Sequence, residues 1–280
     1  MAGKARVQLP SVVSASQVPA LLALKPIVLS VQTQIDPTPS GFIEGAIGID
    51  QDSWTLDSRS GAQLADLDQW RALIGALSIQ TTSQVLVYDN GDLKFASRVR
   101  YLLGHFGVKQ AALVNGGWPA LQALAGAGKL QVQPGPSPSV FVHTKAKITQ
   151  APIPMATRRE VAAVLSDPKV TLVDVRTPAE YNGTDVLPGI TRPGHIPGAL
   201  NLPLNQLFSS PTTLMDPPAL QAAFAQSGID GKTRLIFYCQ DGARSSLGAA
   251  AARLAGFGKV ELYYQSYLDW QADPQDPVAT

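Results

Sequence analysis

The chain has 280 residues and a net charge of +1, with 45% hydrophobic and 15% charged side chains. This length suits one large domain or two of ordinary size, and the composition is that of a globular protein. There is no block of like charge and no apolar run long enough to span a bilayer, so we expect neither nucleic acid nor a membrane as a partner.

Residues 1–30 contain basic and apolar residues, which raises the question of an export signal. Prolines at Pro10 and Pro19 and serines at Ser14 and Ser16 interrupt the apolar stretch, which disagrees with the three-part layout of a signal peptide. The chain has a single cysteine and cannot form an internal disulfide, so nothing marks an oxidising compartment. We therefore expect a cytoplasmic protein whose first strand is Ile27 to Val31.

The two halves of the chain repeat one order of segments. PIVLSVQ, GFIEGAIGID and QVLVYDNGD in the first half match VTLVDVR, GHIPGALNLP and RLIFYCQDG in the second. Each half alternates short β-branched runs with helical stretches, which predicts an α/β fold with a mostly parallel sheet flanked by helices. We predict tandem domains at residues 1–135 and 153–280, joined by a proline-rich linker at 136–152.

Three elements of the second half are predicted most clearly. Val170 to Val175 and Leu235 to Tyr238 are apolar runs typical of strands buried on both faces. The Ala-rich segment Ser245 to Leu254 is predicted as a helix packed closely on the sheet, which Gly256 and Gly258 would end.

The only cysteine, Cys239, follows the second of these strands and opens the loop CQDGAR. Ligands of parallel sheets bind at the carboxyl ends of the strands. A turn into a helix N-terminus can aim backbone N–H groups at one point, where the helix dipole also favours negative charge. Gly242 lets the backbone curl and Arg244 adds a fixed positive charge. We predict an anion cradle with a nucleophilic thiolate at its base; the alternative is an inert core cysteine.

Three motifs in this order resemble the two-domain rhodaneses, or thiosulfate sulfurtransferases, and most of all bacterial members whose loop ends in Arg. They are LVDVRTPAEYNG (Leu172 to Gly183), RPGHIPGALNLP (Arg192 to Pro203) and CQDGARS (Cys239 to Ser245). The resemblance extends from Ile27 to the C-terminus and implies two tandem rhodanese-like domains. In that family the cysteine takes the outer sulfur of an anionic donor and carries it as a persulfide until cyanide or a thiol removes it.

The resemblance also implies the site residues, with Cys239 and Arg244 as catalytic residues and no metal or organic cofactor. The donor-binding candidates are Gln240, Asp241, Gly242, Ala243, Ser245, Arg176 and Arg192. For Arg176 the alternative is a structural pairing with Asp174, and for Arg192 it is a solvated surface position. The carboxylate of Asp241 would weaken donor binding unless it points out of the loop.

The first half aligns Asp89 with Cys239, and a carboxylate is no sulfur nucleophile. We therefore predict that the first domain is catalytically silent, rather than that Asp89 acts as an acid or base. His195 aligns with Phe42 in a Gly/Pro turn, so we expect a structural role for it and not a Cys–His dyad.

Other functions share these residues. A phosphatase or arsenate reductase on this fold needs five residues between Cys and Arg, whereas four separate Cys239 from Arg244. A 3-mercaptopyruvate sulfurtransferase would carry an Arg where this chain has Glu180. A persulfide carrier that hands sulfur to a partner enzyme needs the same loop. We expect a monomeric thiosulfate sulfurtransferase.

Overall fold

The computed structural model describes residues 8–33, 40–139, 145–148 and 153–280. The predicted linker at 136–152 therefore lies in large part outside the described residues. The same holds for the first seven residues of the segment that was considered as an export signal.

The chain begins its fold before the predicted first strand. Strand β1 (Val12–Ser14) and helix α1 (Val18–Leu22) precede β2 (Ile27–Gln32), so the expectation that Ile27 opens the first strand is wrong. Ser14 forms a capping box with Gln17 around a 3-10 turn, and Pro19 lies in the first turn of α1. Ser14 and Pro19, which interrupt the apolar stretch, are thus helix-start residues. A proline is tolerated there because the first N–H groups of a helix have no partner within it.

The first half forms a parallel sheet of order β1-β6-β5-β2-β4, and β3 and β7 form a separate antiparallel pair. Its remaining elements are β3 (Gly41–Ile43), β4 (Ile47–Asp50), α2 (Gln51–Ser58), α3 (Gly61–Ala65), α4 (Leu67–Ala76), β5 (Gln84–Tyr88), α5 (Lys94–His105), β6 (Gln110–Asn115), α6 (Gly117–Gly126) and β7 (Val132–Pro134).

The second half forms a parallel sheet of order β13-β12-β8-β9 and a short antiparallel pair of β10 and β11. Its elements are α7 (Arg158–Ala163), β8 (Val170–Asp174), α8 (Pro178–Tyr181), β9 (Leu200–Asn201), β10 (Phe208–Ser210), β11 (Thr213–Leu214), α9 (Pro217–Gln226), β12 (Arg234–Tyr238), α10 (Ala243–Leu254), β13 (Val260–Leu262) and α11 (Ser266–Trp270). The predicted α/β fold with parallel sheets flanked by helices is confirmed.

Corresponding strands of the two sheets lie in the same order, with β6-β5-β2-β4 matching β13-β12-β8-β9. A buried tyrosine makes the same contact in each half. The hydroxyl of Tyr88 accepts the backbone N–H of Ile43 at 3.2 Å, and that of Tyr238 accepts the N–H of Ile196 at 3.2 Å. The sequence repeat therefore corresponds to a repeat of strand order and of local contacts.

The halves meet where helix α5 packs against helix α10. One cluster of buried apolar side chains runs through this contact and includes Leu102 and Phe106 of the first half and Leu247 and Ala251 of the second. The small residues of α10 let the two helices approach closely, so the carboxyl ends of β5 and β12 are held beside one shared core. Among the described residues, no helix is long and apolar enough to cross a bilayer.

Candidate active site

Cys239 lies directly after β12, which is flanked in the sheet by β8 and β13. Helix α10 begins at Ala243, two residues earlier than predicted, because Gly242 adopts a left-handed conformation with φ of +98° and starts the helix there. The loop between strand and helix is therefore short. It places the cysteine at the carboxyl end of the sheet and at the N-terminus of a helix.

The backbone of Gly242 contacts the sulfur directly. Its N–H donates a hydrogen bond to Sγ of Cys239 with an N···S distance of 3.2 Å, and the hydroxyl of Ser266 lies 4.0 Å from the same sulfur. A Cβ on Gly242 would lie 2.6 Å from the carbonyl oxygen of Tyr264, nearer than any stable contact. Only glycine can present this N–H to the sulfur.

The side chain of Cys239 is fully buried, which differs from the open cradle that the sequence suggested. We expected several amides to converge on the sulfur; in the part of the chain that the structure describes, one backbone N–H, that of Gly242, contacts it. The backbone N–H of the following residue, Ala243, donates to Oδ1 of Asp241 at 3.4 Å and not to the sulfur. A donor sulfur can reach Cys239 only after neighbouring groups shift.

Arg244 carries its charge in the first turn of α10, but it already has an anionic partner. Its guanidinium forms two hydrogen bonds with Glu180 of α8, at 2.6 and 2.7 Å, and Glu180 is only 4% exposed. Burial alone would raise the pKa of Glu180; the hydrogen bonds and charge of Arg244 and the hydrogen bonds of Thr177 together outweigh this and hold the pKa below its usual value. The sequence offered a signal for this placement, because TPAE is a capping box and sets Glu180 in the first turn of α8, next to the end of β8.

Asp241 points out of the loop, towards the first half of the chain. Its Oδ2 lies 3.0 Å from Nη2 of Arg98 on α5, and the same nitrogen donates to the backbone oxygen of Asp241 at 2.8 Å. Burial alone would raise the pKa of Asp241; the charge and hydrogen bond of Arg98, together with the N–H of Ala243 and the charge of Arg244, outweigh this and lower the pKa. Nothing in the sequence singled out Arg98, which is 143 residues away along the chain.

The structure does not bring Arg176 to the loop as a donor-binding group. Its guanidinium is buried, pairs with the carboxylate of Asp174 at 2.7 Å and donates to the backbone oxygen of Gly194 at 2.7 Å. It also lies over the ring of Tyr267, 4.1 Å from the centroid. The structural alternative fits these contacts, since Nε and Nη2 of Arg176 are already paired with Asp174 and Gly194.

Arg192, which is partly exposed, also makes its hydrogen bonds away from the cysteine loop. It donates to the backbone oxygens of Asp273 and Asp276, both at 2.6 Å, and so holds the C-terminal segment. His195 stacks on the ring of Tyr181 at 3.6 Å, and its Nδ1 lies 2.9 Å from the backbone oxygen of Tyr181. These contacts agree with a structural role for His195.

The other loop residues make contacts that hold the turn. Gln240 donates to the backbone oxygen of Pro188 at 3.1 Å, and the hydroxyl of Ser245 donates to that of Gly242 at 3.2 Å. Ala243 is buried. Ser245 is also buried and therefore supports the loop from behind.

A cleft of about 660 Å³ lies between the halves beside this loop. Its lining includes Asp92 and Lys94 from the first half and Thr177, Leu204, Phe208 and Arg244 from the second. Arg244 is the residue of the cysteine loop that borders it, so an anion that enters the cleft meets the guanidinium that Glu180 now occupies.

The first half carries a carboxylate where the second carries the sulfur. Asp89 follows β5 as Cys239 follows β12, and its oxygens accept the N–H groups of Gly91, Leu93 and Ala96 at 2.9–3.0 Å. Burial raises the pKa of Asp89, against these three donors that lower it. In this half, the backbone N–H groups of the loop therefore bind the carboxyl group of Asp89.

The chain is similar in sequence to several known proteins. The model of the rhodanese-like domain matches residues 157–273. A thiosulfate sulfurtransferase of Pseudomonas aeruginosa is 29% identical over 272 residues, which cover 96% of this chain and 97% of that protein. A thiosulfate sulfurtransferase of Mus musculus is 30% identical over 213 residues (74% and 69%), and a human 3-mercaptopyruvate sulfurtransferase is 28% identical over 214 residues (73% and 69%).

Among solved structures, the fold is similar to an anaerobic ergothioneine biosynthesis enzyme from Chlorobium limicola in complex with trimethyl histidine. The TM-score is 0.80 at 23% identity, over 96% of this chain and 70% of that one. At this identity the likeness concerns the fold alone. The sequence relatives also identify the family. The mouse protein is 30% identical and matches more than two thirds of both chains, and the domain model covers the segment around Cys239. The chain therefore belongs to the rhodanese family of sulfurtransferases, as the motifs predicted.

Proposed function

We propose that this sulfurtransferase moves the outer sulfur of thiosulfate to cyanide, or to another thiophilic acceptor, through a persulfide on Cys239. The thiolate attacks the outer sulfur, the bond between the two sulfur atoms of thiosulfate breaks, and sulfite leaves with the electron pair. Cyanide then attacks the terminal sulfur of the persulfide and leaves as thiocyanate, which returns the thiolate.

The observation that carries this proposal is the hydrogen bond from the N–H of Gly242 to the sulfur of Cys239, at the N-terminus of α10. An N–H already aimed at sulfur stabilises negative charge on that atom without reorganisation. The positive end of the helix dipole acts in the same direction. Both favour the thiolate before loading and the persulfide anion after it.

Arg244 is the proposed site for the sulfonate end of the donor. It lines the cleft, and its guanidinium can form paired hydrogen bonds with an oxyanion as it does with Glu180. Donor binding then means that thiosulfate competes with Glu180 for Arg244. This exchange of partners also supplies the shift that a buried Cys239 needs.

We further propose that the chain consists of tandem rhodanese-like domains, a silent one at 1–135 and a catalytic one at 153–280. The matching strand order and the matching Tyr88 and Tyr238 contacts support the duplication. Silence of the first domain follows from Asp89, since the position of the nucleophile holds a carboxylate already bound by three amides.

Intact-mass measurement tests the central step. After treatment with thiosulfate, the protein should gain the mass of one sulfur atom and lose it again on addition of cyanide. Cys239→Ser is the control and should gain nothing. A gain that persists in this variant would place the persulfide elsewhere and overturn the proposal.

Steady-state kinetics separates an enzyme from a carrier. Turnover with thiosulfate and cyanide should be many cycles per protein molecule, whereas a carrier loads once and needs a partner to unload. Substituting 3-mercaptopyruvate for thiosulfate tests the donor. If kcat/KM is higher with 3-mercaptopyruvate than with thiosulfate, the keto acid becomes the assigned donor.

Variants of the Arg244–Glu180 pair test how the donor is held. Arg244→Gln should raise the KM for thiosulfate on the order of tenfold or more, since it removes a hydrogen-bonding charge. Glu180→Gln should lower this KM, because the guanidinium loses its competitor while the capping contact with Thr177 is kept. Equal losses of kcat/KM in both variants would indicate a pair that only supports the loop, and would contradict donor exchange.

A further inference from the structure

Arg98 connects the first half of the chain to the cysteine loop of the second. It lies on α5 and is 1% exposed. Its Nη1 donates to the side chains of Thr55 and Gln51 on α2, while its Nη2 donates to the backbone oxygen of Asp241 at 2.8 Å. The same Nη2 lies 3.0 Å from the carboxylate of Asp241. One guanidinium thus fixes the loop to a helix of the other half.

The oxygen that Arg98 holds belongs to the peptide group between Asp241 and Gly242. The N–H on the opposite side of this peptide is the one that donates to the sulfur of Cys239. Because a trans peptide is planar, with its C=O and N–H pointing in opposite directions, fixing the oxygen fixes the direction of the N–H. Hydrogen bonding at the oxygen also polarises the peptide and strengthens its N–H as a donor.

The carboxylate of Asp241 gives Arg98 a second effect. This charge lies two residues from Cys239 in a loop that receives an anionic donor. Left alone it would repel such a donor, and paired with Arg98 it is neutralised. Asp241, the acidic residue of the loop, is therefore the residue through which Arg98 of the first half holds the loop.

We propose that Arg98 is a positioning residue for sulfur transfer, which orients the Asp241–Gly242 peptide towards Cys239 and neutralises Asp241. This inference rests on the proposed function, because it concerns the same loop. It gives the first half a part in the reaction although that half carries no nucleophile.

The test compares alkylation of Cys239 by anionic iodoacetate and by neutral iodoacetamide, which needs no sulfur transfer. Arg98→Gln should lower the ratio of the two rates about threefold or more, the effect of one unpaired charge near the sulfur. Asp241→Asn should raise this ratio, because Arg98 then lacks its carboxylate. The double variant should return close to the wild-type ratio.

Further variants separate charge from orientation. Arg98→Lys should keep the ratio near the wild-type value, but slow both reagents, because a single ammonium cannot hold the carbonyl and the carboxylate together. Arg71→Gln is the matched control, since Arg71 is an exposed arginine paired with an exposed Asp68, and it should change neither rate. If Arg98→Gln fails to fold, Asp241→Asn still tests the charge effect, because the side chain of Asp241 is 42% exposed.

The outcomes are distinguishable. A ratio unchanged in Arg98→Gln and in Asp241→Asn, or lowered in both, would overturn the role of Arg98 even if thiosulfate still loads Cys239. Absence of loading in the wild type would overturn the proposed function while the alkylation pattern still reports on Arg98. A wild-type thiol inert to both reagents would overturn the inference as well, since there would be no reactive sulfur to position.

Discussion

At the scale of single residues, the carboxylate of Asp89 accepts three backbone N–H groups of its own loop, at the position that Cys239 holds in the second half. Asp89→Ala should leave three buried N–H donors without an acceptor and cost roughly 1–3 kcal/mol of unfolding free energy, more if they stay dry. Sulfur transfer per folded molecule should be unchanged. Urea unfolding and kcat/KM for thiosulfate measure the two effects, and Asp68→Ala is the exposed control. Loss of kcat in a folded Asp89→Ala protein would contradict a silent first half.

Residues were predictable from sequence where the chemistry is local and not where it depends on distant partners. Cys239 and Gly242 could be placed because a strand, a cysteine, a glycine and a helix follow one another within a few residues. Arg98 and Glu180 reach the loop from other elements, and their roles follow from packing. Arg176 and Arg192 were candidates for donor binding because an arginine near a site suggests an anion. Their partners are a carboxylate and backbone oxygens of this chain.

At the scale of elements, the turn from β12 into α10 depends on the conformation of Gly242. Gly242→Ala should distort it, because φ of +98° is strained for alanine and the new Cβ would meet the oxygen of Tyr264 at 2.6 Å. We expect a loss of about 1–3 kcal/mol in stability and a larger loss of kcat/KM, as the N–H leaves the sulfur. Gly126→Ala is the matched control: open space surrounds its Cβ at the end of α6, so neither quantity should fall. Equal effects of the two variants would argue against the strained turn.

Buried strands were predicted more reliably than element ends. Val170 to Val175 and Leu235 to Tyr238 are near-continuous apolar runs and agree with β8 and β12 to within one residue. Strand β1 was missed because Pro10, Ser14 and Pro19 look like breakers in sequence, although Ser14 and Pro19 lie at helix starts. The start of α10 was placed two residues late because Gly242 starts the helix from a left-handed conformation, which sequence alone does not show.

At the scale of the whole molecule, one cluster of buried apolar side chains spans both halves, and each half also has a smaller cluster of its own. The sequence repeat predicted the duplication, and a proline-rich stretch suggested a linker between two domains. Nothing in the sequence indicated that α5 and α10 would pack together, because the apolar face of a helix does not show which element it packs against. With a common core and an Arg98–Asp241 ion pair across the halves, each half stabilises the other.

A shared core predicts that the halves unfold together. Three of the four tryptophans, Trp54, Trp70 and Trp118, lie in the first half. Urea unfolding followed by fluorescence should coincide with unfolding followed by pulsed alkylation of Cys239 in the second half. Leu102→Ala, in the common core, should shift both midpoints to the same lower urea concentration, at a cost of about 2–5 kcal/mol. Leu56→Ala, at a side chain that is 57% exposed, should move neither. Two separate midpoints, with the fluorescence change first, would mean that the second half keeps its fold alone and that the ion pair at the loop does not couple the halves.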